Sequence, residues 1–309
     1  MILDTPLGKF RWIDNWISIP DTPSGKISGR THGIVVLRDG SVVIFHQADP
    51  ALLIYSAEGK LLDSWGNYTG AHGLTLVQEN NEELLWLVDL TTKEAVKTTL
   101  SGSVRMKLQI PPHPSYVEGN YIPTWLAVAE ERFGGNGDLW LADGYGSYLV
   151  HRYDRTGNYL GSLDGTEGAG RFNCPHALAI DTRRGVPEFY VADRGNGRFQ
   201  VYAMDGSYRR SFGGGFLNTP DISVQMGPNL LVPELIAGLT VLDADDRPMA
   251  SLGFNTGVNA KEGWPNDRRW VSEGLFNSPH SAAVDSQGNI YVVEWISGGR
   301  VIKLERIPS

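Results

Sequence analysis

Six similar segments recur along the 309 residues, and this internal repeat limits the possible folds more than any other feature. Apolar residues alternate with small or polar ones in each opening: THGIVV at 31, AHGLTL at 71, PTWLAV at 123, PHALAI at 175, PDISV at 220 and PHSAAV at 279. A turn and a second apolar run follow, as in LWLVD or FYVAD, and most segments add a third and a fourth run. Four short antiparallel strands per repeat are typical of a β-propeller blade.

The two ends of the chain complement each other. The last repeat ends after three strands at Ile307, while residues 10–18, FRWIDNWIS, form an unassigned run before the first repeat. Because an incomplete blade would leave an open strand edge, we expect this run to supply the outer strand of blade six and to close the ring. No linker separates the repeats, so the sequence predicts an all-β, six-bladed β-propeller that forms one domain over residues 1–309.

Composition excludes several kinds of partner. With 27 Lys and Arg against 35 Asp and Glu, the net charge of −8 argues against nucleic acid. No apolar stretch reaches the roughly 18 to 20 residues of a membrane helix. The N-terminus does not resemble a signal peptide, and a single cysteine, Cys174, excludes an internal disulfide. These features favour a cytoplasmic protein with a small-molecule substrate, and they leave its oligomeric state open.

Three of the seven histidines occupy the same place in their repeats: His72, His176 and His280. Successive members are 104 residues apart, which is two blades, so we expect them on alternate blades with their imidazoles meeting near the axis. Three histidines with an open fourth position are typical of a catalytic zinc site, and imidazole binds zinc more tightly than iron or manganese. The alternative is that each histidine caps its strand, a role that also suits His32 in THGIVV.

Further candidates follow the second strand of each blade, at the same end as these histidines. We predict that His46, Gln47, Asp89 and Glu294 contact substrate, although for most carboxylates at this position we favour hydrogen bonds to the next turn. The insertion at 254–277 carries GWPNDRRW, from which Arg268 and Trp270 could cap the channel and bind substrate. An ordinary surface loop is the alternative.

Tyr145 in DGYG and Arg194 in DRGNGR follow the second strands of neighbouring blades three and four. A tyrosine beside a metal and an arginine can ionise more easily and act as a base. The alternative is a tyrosine at the rim and an arginine in an ordinary salt bridge, and spacing alone does not decide between them.

The stretch from Pro123 to Gly213, with LWLADGYGSYLVHRYD, GRFNCPHALAI and FYVADRGNGRFQVY, closely resembles the peptidyl-α-hydroxyglycine α-amidating lyases, propellers of the NHL-repeat class. AHGLTL and SPHSAAVDSQGNIYVVEW extend the resemblance over most of the chain from about residue 31. The resemblance implies a six-bladed zinc lyase that splits a carbinolamide into an amide and glyoxylate. His72, His176 and His280 would then hold zinc, Tyr145 would deprotonate the substrate hydroxyl, and Arg194 would support Tyr145.

Two positions depart from this resemblance. Gln47 stands where the family has an arginine that holds the substrate, and Ser281 stands where a carboxylate binds a structural calcium. These departures weigh against calcium and imply that the metal chemistry is kept while the substrate has changed.

The leading hypothesis is therefore a metal-dependent lyase that acts on a small hydroxylated substrate such as a carbinolamide. A metal-dependent hydrolase, lactonase or sugar isomerase is the first alternative. The architecture also resembles the gluconolactonase-type propellers, but these bind their metal through carboxylates and asparagine, so three histidines count against that alternative. A non-enzymatic NHL propeller that binds a partner is the second.

Overall fold

The computed structural model of the chain describes residues 1–213, 216, 218, 219, 221 and 224–308. Strands dominate these residues and form six antiparallel sheets. The predicted all-β, six-bladed β-propeller is confirmed. Contacts divide the chain into two compact units, the first made of Met1–Ala71 and Leu217–Ser309 and the second of His72–Phe216. A single domain over 1–309 stays a prediction.

The N-terminal part of the first unit holds two strands, a short helix and blade one. Their bounds are β1 Ile2–Thr5, β2 Gly8–Ile13, helix α1 Pro23–Ile27, and then β3 Thr31–Val36, β4 Val42–His46, β5 Leu52–Tyr55 and β6 Leu61–Trp65. Thr22 caps α1, since its hydroxyl accepts the N–H of Gly25.

Blades two, three and four make up the second unit. Blade two is β7 Ala71–Glu79, β8 Glu82–Asp89, β9 Glu94–Thr99 and β10 Val104–Lys107; blade three is β11 Trp125–Val128, β12 Leu139–Asp143, β13 Leu149–Tyr153 and β14 Tyr159–Leu163; blade four is β15 Pro175–Asp181, β16 Glu188–Asp193, β17 Arg198–Ala203 and β18 Tyr208–Gly213.

Blades five and six return to the first unit. Blade five is β19 Val224–Met226, β20 Asn229–Glu234, β21 Gly238–Leu242 and β22 Pro248–Leu252, and blade six contains β23 Pro279–Val284, β24 Ile290–Glu294 and β25 Arg300–Ile307. The predicted opening of blade five, 220–224, lies mostly outside the described residues. Short 3-10 turns occur at Pro114–Tyr116, Glu131–Phe133, Arg194–Asn196, Val258–Ala260 and Arg268–Trp270.

The N-terminal strand closes blade six, as the sequence predicts. β2 pairs antiparallel with β25, from Lys9 opposite Ile307 to Ile13 opposite Lys303. Phe10 and Trp12 point into the core, 0% and 3% exposed, which is the period-two burial of a sheet with one wet face. The predicted run 10–18 is too long, because the strand ends before Asn15, whose φ of 45° turns the chain. β1 adds an unpredicted fifth strand outside β2.

Apolar residues from neighbouring blades interlock to form the cores. In the first unit, Phe10 and Trp12 of the N-terminal strand share a cluster with Leu231 of blade five and Val292 of blade six. In the second unit, side chains of blades two and three such as Trp86 and Leu141 form another. Among the described residues, no helix is long and apolar enough to cross a membrane.

Candidate functional site

Bulges set the direction of the histidines at the start of the blades. In β15, Pro175 pairs with Asp193 and Ala177 pairs with Ala192, so the pairing bypasses His176. The same register shift bypasses His280 in β23 and His32 in β3. Because a bulged residue leaves the ladder and its side chain is re-aimed, these histidines are freed from the regular alternation of the strand.

Two of the predicted ligands lie side by side in the second unit. His72 and His176 are 1% and 0% exposed, and their ring centroids are 4.6 Å apart. His72 Nδ1 lies 2.8 Å from the carbonyl oxygen of Thr124. A carbonyl only accepts, so Nδ1 carries the proton and Nε2 carries the lone pair. Metal-binding histidines commonly donate their second nitrogen to a carbonyl in this way.

Gly73 makes that contact with blade three possible. A Cβ at this position would lie 2.6 Å from the Thr124 carbonyl oxygen and 3.0 Å from Trp125 Cα. Both are backbone atoms, so any larger residue would push the two blades apart. The close approach of blade three therefore explains why glycine follows the histidine in AHGLTL.

Tyr145 and Arg194 join this pair. The Tyr145 hydroxyl lies 2.8 Å from His176 Nε2, and Arg194 Nη1 donates to the same hydroxyl oxygen at 3.3 Å. The guanidinium carbon lies 5.3 Å from the centre of the Tyr145 ring, within the range of a cation–π interaction. The second unit thus places Tyr145 between an imidazole and a positive charge.

Two opposing effects act on the ionisation of Tyr145. Burial raises the pKa of its phenol, while the charge of Arg194 and its hydrogen bond lower it in part. Burial also raises the pKa of the Cys174 thiol, which leaves Cys174 a protonated, buried side chain. Burial prevails, so the pKa of Tyr145 lies above its usual value. The protein groups alone therefore do not make this tyrosine ionise easily.

The third predicted ligand, His280, lies in the first unit and is 2% exposed. Its Nδ1 lies 2.9 Å from the carbonyl oxygen of His32, so its Nε2 also carries the lone pair. The contact repeats the one between His72 and Thr124, with a residue of the next blade as the acceptor. Buried imidazoles held in this form suit zinc, iron, nickel or copper. That His72, His176 and His280 bind one ion stays a prediction.

His32, for which the sequence analysis suggested only a capping role, lies beside His280, and its Nδ1 is 3.2 Å from the carbonyl oxygen of Arg30. It is 2% exposed, and its ring centroid is 4.5 Å from that of His280. The sequence feature that could have marked His32 as similar to His72 is the His-Gly pair that THGIVV shares with AHGLTL.

Asp89 and Glu294, at the ends of their second strands, both have protein partners. Asp89, 1% exposed, accepts the N–H of Thr92 at 2.7 Å. Glu294, fully buried, accepts the N–H of Asn277 and lies 2.7 Å from Arg300 Nη1. The contact of Asp89 with its following turn matches the alternative favoured from sequence, whereas Glu294 accepts from the segment before β23 and pairs with Arg300. Substrate contact by Asp89 and Glu294 stays a prediction.

The remaining substrate-binding candidates also have protein partners. His46 is buried with Nε2 2.6 Å from the Pro50 carbonyl oxygen, and burial lowers the pKa of its ring. Gln47 accepts the Ser28 hydroxyl at 2.8 Å. Arg268 donates to the Gly299 carbonyl at 2.8 Å, and Trp270 Nε1 donates to a carbonyl at 2.9 Å. Their roles toward a substrate stay predictions.

Ser281, which stands in the calcium position of the family, donates its hydroxyl to Asp221 at 2.6 Å. Both side chains are buried. The weak expectation for calcium, read from Ser281, stays a prediction.

A buried polar chain, missed from sequence, holds the turn that carries Tyr145. Tyr116, from the segment 110–122 between blades two and three, donates its hydroxyl to Asp143 at 2.7 Å. Its oxygen therefore accepts from His151 Nε2 at 2.6 Å, and His151 Nδ1 accepts from Ser162 at 2.7 Å. Asp143 in turn accepts the N–H of Ser147. These polar side chains therefore link the segment 110–122 to the turn that carries Tyr145.

The buried ring of His151 predicts a pH dependence of stability. Burial lowers its pKa to about 3, whereas an unfolded histidine titrates near about 6.5. The unfolded chain therefore binds one more proton between these values, so this contribution to stability is complete above about pH 6.5 and falls as the pH is lowered toward 3. His151→Gln is expected to reduce the pH dependence of the unfolding free energy in that window by about one proton. Urea denaturation across the window measures it, and an unchanged slope would contradict the assignment.

Comparison with known proteins supports the resemblance read from the motifs. No protein-family model matches the chain. The chain is 28% identical over 278 residues to human NHL repeat-containing protein 3, covering 83% of this chain and 74% of that protein. It is 27% identical over 271 residues to peptidyl-alpha-hydroxyglycine alpha-amidating lyase 1 of Drosophila melanogaster, covering 79% of this chain and 46% of the relative. The similarity to NHL-repeat proteins and amidating lyases is thereby confirmed.

Solved structures show the same fold at lower identity. A streptogramin B lyase aligns with a TM-score of 0.62 at 12% identity, covering 96% of this chain and 97% of that chain. A gluconolactonase from Xanthomonas campestris aligns with a TM-score of 0.66 at 13% identity, covering 96% and 90%. These likenesses establish the propeller and leave the chemistry to the site itself.

Proposed function

We propose that this protein is a metal-dependent lyase, with zinc as the first candidate, that cleaves a small hydroxylated substrate such as a carbinolamide. The observation that carries the proposal is the placement of the Tyr145 hydroxyl between His176 Nε2, at 2.8 Å, and Arg194 Nη1, at 3.3 Å. The relative named as an amidating lyase supports the reaction class.

The donor set fits a transition metal. His72 and His176 offer adjacent buried imidazoles, and His72 presents its lone pair at Nε2 because Nδ1 donates to a carbonyl. His280 is held in the same form, and its spacing of 104 residues from His176 makes it the proposed third ligand. A divalent metal held there would polarise the substrate hydroxyl oxygen and make its proton easier to remove.

Tyr145 is the proposed base. In its phenolate form it accepts the proton of the substrate hydroxyl, and the positive charge of Arg194 stabilises that phenolate before the transfer. As the O–H proton passes to Tyr145, the electron pair forms a C=O bond and the neighbouring C–N bond breaks. The departing nitrogen then takes that proton from Tyr145, which restores the phenolate. The products are an amide and an aldehyde, and no organic cofactor is consumed.

The substrate is proposed to differ from that of the amidating lyases. Gln47 replaces an arginine of that family, and its side-chain oxygen already accepts a hydrogen bond from Ser28. A neutral amide does not pair with a carboxylate as a guanidinium does. We therefore propose small carbinolamides without a carboxylate at that position, with Arg268 and Trp270 as candidate contacts.

Elemental analysis of the purified protein is the first test. We expect about one transition metal per chain, as in a catalytic three-histidine site, and loss of that metal in His72→Ala. His113→Ala, a change at a histidine outside the proposed site, is the matched control and should keep the metal. Amide-bearing carbinols can then be screened by aldehyde release. A wild-type protein without metal, even after reconstitution, would sink the proposal.

A further inference from the structure

We infer that His32 is a fourth imidazole ligand beside His280, so that the centre holds four histidines rather than three. The inference rests on the proposed metal centre and deepens it, because the number of protein ligands restricts which metal can still accept substrate. It adds a residue that the alternate-blade pattern does not contain.

The repeat itself marks His32 as an exception. Histidine alternates with other residues at equivalent positions: His72, then Thr124, His176, Asp221 and His280. Alternation would place a non-histidine in blade one, as Thr124 stands in blade three. A residue whose only task is to accept from the neighbouring histidine needs just a backbone carbonyl, which Thr124 supplies to His72. Supplying a carbonyl does not require a histidine at this position, so the imidazole of His32 calls for another explanation.

The structure gives His32 the same setting as the predicted ligands. It is the second residue of β3, it is bypassed by the strand pairing, and it is 2% exposed. Its Nδ1 lies 3.2 Å from the Arg30 carbonyl oxygen, so a proton on Nδ1 leaves the lone pair on Nε2. The proton is then on the same nitrogen as in His72 and His280, although the acceptor is two residues earlier in the chain and not in the next blade.

His32 and His280 are close enough to share an ion. Their ring centroids are 4.5 Å apart with an angle of 65° between the planes, and their ligating nitrogens lie within 4.8 Å of each other. Two nitrogens bound at about 2.1 Å to one ion can be at most about twice that distance apart. A shift of well under 1 Å therefore brings both into range.

Four imidazoles change the choice of metal. A four-coordinate zinc bound by four protein ligands has no open position, as in structural zinc sites. Ions that accept five or six ligands, such as iron(II), manganese(II), nickel(II) or copper(II), can hold four imidazoles and still bind a substrate oxygen. The four-histidine set therefore favours an ion of this kind, and it would displace zinc as the first candidate that the three-histidine proposal names.

The test uses cobalt(II) added to the metal-free full chain, because its visible spectrum reports coordination number without any substrate. Four-coordinate cobalt absorbs strongly and six-coordinate cobalt absorbs weakly. We expect a weak band for the wild type and a stronger or shifted band for His32→Ala. We also expect the variant to bind cobalt at least about 10- to 100-fold more weakly, since this is the cost of removing a residue that only hydrogen-bonds to a metal ligand.

Two further variants separate the possible outcomes. His32→Gln keeps the volume of the side chain and guards against a folding defect in His32→Ala, while His113→Ala should match the wild type. If both His32 variants keep the wild-type spectrum and affinity while His72→Ala loses cobalt, the fourth ligand is overturned and the proposed function stands. If the wild type binds no cobalt, the proposed function and this inference fall together.

Discussion

Exchange of Tyr145 for phenylalanine is expected to lower kcat on a cleaved carbinolamide by about 10²- to 10⁴-fold, the usual contribution of a general base. The change removes only the hydroxyl, which lies 2.8 Å from His176 Nε2 and accepts from Arg194. No imidazole is altered, so the metal should remain bound. The KM should change little, because the hydroxyl takes part in the proton transfer and is not expected to hold the bound substrate.

Steady-state kinetics and elemental analysis on the same preparation measure both expectations. Tyr148→Phe is the matched control, since Tyr148 belongs to the same turn but is 40% exposed and should leave kcat unchanged. Unchanged turnover in Tyr145→Phe would remove Tyr145 from the reaction. Loss of the metal would instead assign the tyrosine a part in holding the site together.

Replacement of Arg300 by alanine is expected to lower the free energy of unfolding by about 3 to 5 kcal/mol, the usual cost of removing one partner from a buried ion pair. Arg300 is 1% exposed and lies 2.7 Å from Glu294, which is fully buried, and 2.7 Å from Asp14. Alanine would leave the charge of Glu294 buried without its cation. The same loss would release Asp14, which joins the N-terminal segment to blade six.

Urea denaturation monitored by tryptophan fluorescence measures the change. Arg11→Ala provides the control in the same sheet, because Arg11 forms an ion pair with Glu305 at a side-chain exposure of 61% and such pairs contribute less than about 1 kcal/mol. Equal losses in the two variants would show that the buried pair has no special weight.

The repeat predicted the fold from the sequence, but the ends of individual strands were harder to predict. Period-two burial marked most strands, including the N-terminal one with Phe10 and Trp12 inside. It did not show where that strand stops, because the apolar run continues through Trp16 and Ile17 after Asn15 has turned the chain. Strand length depends on pairing partners, and the partner of β2 lies almost 300 residues away in β25.

The sequence by itself determined the six blades, the closure of the last blade and the residue types of the site, because repeat period and residue identity are local properties. Only the tertiary structure decided which groups meet. It placed Tyr145 against His176 and Arg194, tied Glu294 to Arg300, and put His32 beside His280. Hydrogen-bond partners, burial and pKa depend on neighbours brought by other blades, and a one-dimensional pattern does not contain those distances.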